Sequence, residues 1–262
     1  MAKSIWRWVR EIAFVVLAAI VLSFVLKTFL IESFYIPSAS MENTLLINDR
    51  VMVSKLAPGP LQIHRGDIVV FKDPGNWLKD TAPLPKYTGV SAVVHGALQA
   101  VGLSPSTSEE YLIKRVIGLP GDHVQCDVTN KDANGDGLKD HVLSVNGVEI
   151  NEPYVKAGVE PCSDNFSVTV AKGGYWVMGD NRSDSADSRL HRGGQLDGAV
   201  AKNLIVGVAQ VRTWPFSRMA ILRNPGKTFA KVPATYTPSE GDKTASPQTV
   251  SESTPATPAS DG

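Results

Sequence analysis

At 262 residues the chain has room for one large domain or two small ones, either of which could bury a proper core. Its 26 Lys and Arg balance 26 Asp and Glu, so no net basic field points to nucleic acid. A basic run, a zinc-type CxxC and aromatic–basic interleaving are all missing, which argues against a nucleic-acid partner.

The first element in chain order is apolar. Ile12 to Leu26 contains no charge, and extension to Ile31 admits only Lys27. Twenty helical residues span roughly 30 Å, about the hydrocarbon thickness of a bilayer, so a transmembrane helix is expected over 12–31. Trp6 and Trp8 sit where interfacial tryptophans are common, and the stem of Lys27 can carry its ammonium to the far interface. Lys3, Arg7 and Arg10 precede the run against Glu11 alone. The positive-inside rule therefore keeps residues 1–11 in the cytoplasm and sends the rest out. A cleavable secretory signal has the same basic start and apolar middle. Its small-residue site would be Ser38-Ala39-Ser40, which lies well beyond the apolar stretch and directly after Pro37; an uncleaved anchor is the better reading.

Beyond the anchor, residues 32–232 read as mostly short strands. Arg50 to Ser54 alternates, and Asp67 to Phe71 is a β-branched run after the turn-like Arg65-Gly66. Tyr111 to Leu119, Phe166 to Val170, Tyr175 to Met178 and Leu204 to Trp214 follow. Between His141 and Ile150, Asn146-Gly147 marks a hairpin whose central residues need positive φ. The expected fold is mostly β: an antiparallel sheet domain with long insertions at about 73–110 and 124–165, preceded by one membrane helix. The first insertion has a helix-like stretch near Val90 to Val101. The second holds Cys126 and Cys162, the only thiols, which are either a disulfide or two buried side chains; an exported location tips the reading toward a bond. Residues 233–262 are mostly Pro, Ser, Thr, Ala and small charged residues, the composition of a disordered tail. Asp132 to Gly137 follows the first half of a calcium-loop spacing, but Leu143 occupies the position of the bidentate Glu, so a polar turn is preferred and no metal is expected.

Common hydrolase signatures are missing: there is no G-x-S-x-G, H-E-x-x-H, S-x-x-K or P-loop, and the five histidines are scattered singly. Attention falls instead on Phe34 to Leu45, just outside the membrane, and on Glu110 to Asp122. In a strand, Lys114 shares a face with Leu112 and Val116 while Arg115 points the other way. From pattern alone, a strand-end lysine that snorkels to water is the simpler reading. The chemical alternative is a general base. A free lysine, with a pKa of roughly 10.4, is neutral in about one molecule in a thousand near pH 7.4. Burial disfavours the charged form and can lower that pKa by several units. A serine hydroxyl needs such a base, and a Ser-Lys pair is a known variant of triad logic.

These segments resemble the sequence boxes of bacterial type I signal peptidases. Ile36-Pro-Ser-Ala-Ser-Met41 looks like that family's nucleophile box; Asn48 to Leu56, Arg65 to Phe71, Lys114 to Asp122 and Gly179 to Arg189 follow in the family's order. The resemblance implies Ser40 as nucleophile and Lys114 as general base, with Ser38 lending its hydroxyl to an oxyanion hole beside the Ser40 N–H. It further implies that Ser185 orients the lysine and that Asp180, Asp187 and Arg189 form a supporting polar network. Ala39 stands where the family usually has Gly, and Asn43 where proline is common. The implied enzyme needs no cofactor. Its expected partners are exported preproteins carrying signal peptides, the phospholipid membrane and, by proximity, the secretion translocon. Two other readings are a related Ser-Lys protease with another target, such as a self-cleaving regulator, and an exported calcium-dependent binding protein.

Overall fold

The computed structural model describes residues 2–75, 77, 111–128 and 141–236. The helix-like stretch at 90–101, the polar turn at 132–137 and the tail beyond 236 lie outside the described residues.

Helix α1 covers Ala2–Phe29, so it starts before the expected span, and Ile31 already belongs to a strand. Its described side chains stand free of the domain; Phe14 is 71% and Leu17 60% exposed. Among the described residues no helix is long and apolar enough to cross a membrane.

The strands are β1 (Ile31–Tyr35), β2 (Arg50–Ser54), β3 (Ile68–Lys72), β4 (Tyr111–Gly118), β5 (His123–Val128), β6 (His141–Val145), β7 (Val148–Glu149), β8 (Phe166–Thr169), β9 (Gly174–Met178), β10 (Val200–Ala201), β11 (Ile205–Trp214) and β12 (Ala220–Ile221). A larger sheet runs β1-β2-β11-β3-β4-β9-β10, with β12 on β11, and a smaller one runs β7-β6-β5-β8. The pairings of both sheets are antiparallel. Alternation and β-branching locate β2, β4 and β11 to within a residue of the expected ends. Asn146 and Gly147 turn β6 into β7 at φ 52° and 78°, the positive values a tight hairpin needs. The segment expected as a second insertion supplies most of β5 and all of β6 and β7 to the smaller sheet, with Cys126 on β5 bonded to Cys162 in the loop before β8.

The larger sheet is apolar on both faces. Val69 and Phe71 of β3, with Leu112 and Val116 of β4, line one face. Ile68, Val70 and Ile113 line the other, where Met41 and Leu45 of the loop after β1 close over them. Strand β4 is consequently buried along nearly its whole length. A third cluster joins Ile117, Trp176 and Met178 to the smaller sheet and to Phe229 of the short helix α2 (Gly226–Phe229). Residues 233–236, expected within the disordered tail, are held: the Pro233 carbonyl accepts from Arg65 and Asn146, and Tyr236 stacks on His123.

Candidate active site

The chain leaving β1 is pinned at Ile36, whose N–H donates to Asp49 O and whose carbonyl accepts from Asn48 N–H. Between these ties the loop folds back over the sheet, because Met41 and Leu45 bury completely and Leu45 N–H closes a turn on Met41 O at 2.7 Å. That seating carries Ser40 inward, to 5% exposure. Ser38 stays exposed, its Oγ 3.3 Å from Ser40 Oγ. The Ser40 N–H has no acceptor among the described residues. Ala39 is not among the positive-φ residues, so its backbone does not require the glycine usual in the resembled family. Asn43 does have a positive φ, 91°, which a proline ring could not adopt; its side-chain amide is held by the carbonyls of Tyr154 and Val155.

Lys114 sits in the middle of β4, opposite Val69. It is 4% exposed, and its Nζ lies 2.5 Å from Ser40 Oγ. It therefore does not snorkel. Burial lowers its pKa to about 8, against an opposing pull from Asp187, Asp180 and Asp184 and with a small assist from Arg189.

Strand β9 delivers the third part of the site. At its end Gly179 passes so close to the serine loop that an added Cβ would meet the Ser40 carbonyl oxygen at 2.5 Å. The Gly179 N–H donates to Asp187 at 3.0 Å, and Arg189 grips both oxygens of that carboxylate at 2.9 Å. Burial pushes the Asp187 carboxyl up, but the Arg189 fork and the Gly179 N–H outweigh it and hold it below the usual range. Asp180 turns the other way, into a bidentate pair with Arg115 at 2.8 and 2.6 Å, and accepts from Thr44 of the serine loop. Ser185 is buried beside Asp187 and helps hold that carboxyl down, but among the described residues its hydroxyl makes no hydrogen bond to Lys114. The bond from Ser185 to the lysine implied by the resemblance is not formed.

The structure thus gathers Ser38, Ser40, Lys114, Ser185 and Asp187 with Arg189 around one point, and sets Asp180 behind them as a strut. Sequence reasoning missed Arg115, Thr44, Asn181, Arg182, Glu152 and Tyr154. Arg115 lies over the Tyr154 ring at 3.9 Å, and Arg182 bonds Glu152, Gly179 O and Pro161 O. The one available signal was parity, which turned Arg115 away from Lys114. A cation on a strand covered on both faces needs a buried partner, but that coverage is a tertiary fact.

The family model for signal peptidase, peptidase S26, matches residues 5–214. A signal peptidase I of Mycobacterium tuberculosis is 35% identical over 235 residues, covering 82% of this chain and 76% of its own length. A signal peptidase I T of Bacillus subtilis is 30% identical over 189 residues, covering 69% and 72%. A crystal structure of a signal peptidase I from Enterococcus faecalis aligns with 56% of this chain and 97% of its own, at 25% identity and a TM-score of 0.32.

Proposed function

The chain belongs to the signal peptidase family of S26 peptidases, and from that premise we propose that it is a membrane-anchored serine endopeptidase that removes signal peptides from exported preproteins, with Ser40 as nucleophile and Lys114 as general base. The observation that carries the assignment is the 2.5 Å approach of Lys114 Nζ to Ser40 Oγ inside an apolar strand environment. With a pKa of about 8, roughly one lysine in five is neutral near pH 7.4, against about one in a thousand in water.

In the proposed reaction neutral Lys114 takes the Ser40 proton and Oγ attacks the scissile carbonyl. The developing oxyanion is met by the Ser40 N–H and the Ser38 hydroxyl, donors that count because the charge exists only in the transition state. The lysine returns its proton to the departing amine, which is the new N-terminus of the mature protein. It then activates the water that releases the signal-peptide remnant from the acyl-enzyme. Asp187 and Arg189 hold the wall beside the lysine. Family resemblance favours small side chains at the first and third positions before the cut.

The α1 helix supports an anchoring role, since an apolar surface of this extent standing away from the domain marks a lipid or protein contact. Lys3, Arg7 and Arg10 at its start orient the domain outward, near the translocon. The Cys126–Cys162 disulfide fits an oxidising compartment. The test is cleavage of a membrane-embedded preprotein by wild type, Ser40→Ala and Lys114→Met. Both substitutions are expected to abolish turnover; cleavage that survives either one sinks the assignment.

A further inference from the structure

We infer that Asn181 is a positioning residue for the oxyanion donor, holding the peptide plane that carries the Ser40 N–H. The inference rests on the assignment of Ser40 as nucleophile and adds a residue to it.

The argument begins with peptide geometry. The Ala39 carbonyl and the Ser40 N–H belong to one rigid trans plane and point in opposite directions. Whatever fixes that carbonyl therefore aims that N–H. Ala39 O accepts two hydrogen bonds, from Glu42 N–H at 2.9 Å and from Asn181 Nδ2 at 3.3 Å. The Glu42 bond lies within the serine loop and moves with it. The Asn181 bond ties the plane to the segment after β9, the same segment that walls Lys114. Asn181 holds the next plane as well, its own N–H donating to Ser40 O at 3.0 Å. One residue, 2% exposed, thus grips both peptide planes flanking the nucleophile.

The amide has only one orientation that fits its neighbours. Nδ2 faces two oxygens, Ala39 O and Glu42 Oε2, while Oδ1 accepts from Ser183 Oγ at 3.0 Å. A flipped amide would set oxygen against oxygen at the first two contacts. Glu42 is anchored in turn by Lys156 at 2.8 Å. Aim matters because a hydrogen bond weakens steeply once its angle falls below about 120°. Losing an oxyanion donor outright costs about 100- to 1,000-fold in kcat, and a mis-aimed donor should cost part of that.

The experiment uses the full chain in lipid vesicles with a preprotein substrate, and compares Asn181→Ala, Asn181→Leu and Ser183→Ala with wild type. The two Asn181 variants keep the backbone N–H bond to Ser40 O and remove the side-chain amide, both its donor to Ala39 O and Glu42 and its acceptor for Ser183. Their kcat should fall roughly 10- to 100-fold, with KM within about twofold. The acid limb of the pH profile should stay near the lysine pKa of about 8. Ser183→Ala removes the bond that steadies Oδ1, at an exposed site, and loosens the amide without reversing it; it carries the test if Asn181→Ala loses its fold, and a several-fold loss confined to kcat is expected. Wild-type kcat in these variants overturns the inference, as does a loss confined to KM or one tracking a moved acid limb. Ser40→Ala separates the two readings. Residual cleavage there removes the nucleophile assignment and this inference together, whereas an inactive Ser40→Ala beside a fully active Asn181→Ala removes the inference alone.

Discussion

Lys114 and Ser40, 74 positions apart in the chain, meet through Nζ and Oγ at 2.5 Å in a buried contact. The lysine pays for its place in charge: burial brings its pKa from 10.5 to about 8, although three carboxylates oppose the fall. In the proposed mechanism the pair works only when the lysine has lost its proton, and that sets the first prediction.

Below about pH 8, kcat/KM should rise tenfold per pH unit and then level off, as a single deprotonation requires. Asp184 is exposed and its charge raises the lysine pKa, so Asp184→Asn should move this limb slightly toward acid, less so in high salt. Stability follows the same proton with a definite sign. Between the folded value of about 8 and the unfolded 10.5, the unfolded chain holds a proton that the folded chain lacks. Stability therefore falls as pH drops through that window, by about 3 kcal/mol, and stays lowered below it. Urea midpoints of wild type and Lys114→Met at pH 7 and pH 10.5 check this; equal differences at both pH values would refute it.

A second prediction concerns the strut behind the site. Arg115 and Asp180 are 2% and 0% exposed, so removing either partner leaves the other charge buried alone. Asp180→Ala should cost about 3–5 kcal/mol in denaturant unfolding, and Arg115→Met a similar amount. The double variant Arg115→Met with Asp180→Leu should recover most of it. Thr44 of the serine loop also leans on Asp180, so activity should stay reduced in the double variant even where stability returns.

Gly179→Ala tests the packing of β9 against the serine loop. The new methyl carbon would lie 2.5 Å from the Ser40 carbonyl oxygen, which is backbone and cannot step aside cheaply. Both melting temperature and kcat should drop; an unchanged kcat would show that the loop has room to yield.

The disulfide closes a 36-residue interval within the smaller sheet. Loop-closure entropy for that length is worth about 4 kcal/mol. Cys126→Ser with Cys162→Ser should lower the unfolding free energy by an amount of that order while leaving kcat close to wild type, because neither thiol borders Ser40 or Lys114. Thermal unfolding with and without reductant gives the comparison.

Some of this architecture can be read from residues in order. Strand β4 shows in its apolar run, and its parity puts Lys114 with Leu112 and Val116, where the structure has it. The Asn146-Gly147 turn announces its hairpin because few other dipeptides tolerate positive φ twice. Strand β1, Ile-Glu-Ser-Phe-Tyr, does not stand out in the sequence because it follows an apolar helix almost without a break. Strand β5 falls inside the expected second insertion because Gln125 and Asp127 break up its short apolar pattern.

By itself, then, the order of residues determined the local terms: which segments could be strands, which way Lys114 points, where an apolar helix precedes the domain, and which ordered boxes tie the chain to its family. Only the tertiary structure decided that β4 is covered on both faces, that Asp180 serves Arg115, that Asn181 grips the peptide planes beside Ser40, and that Ser185 lies beside Asp187 rather than bonding Lys114. The physical reason is that direction along a strand is set by neighbouring dihedrals, whereas burial, approach distance and pKa depend on what the rest of the chain brings to the same place.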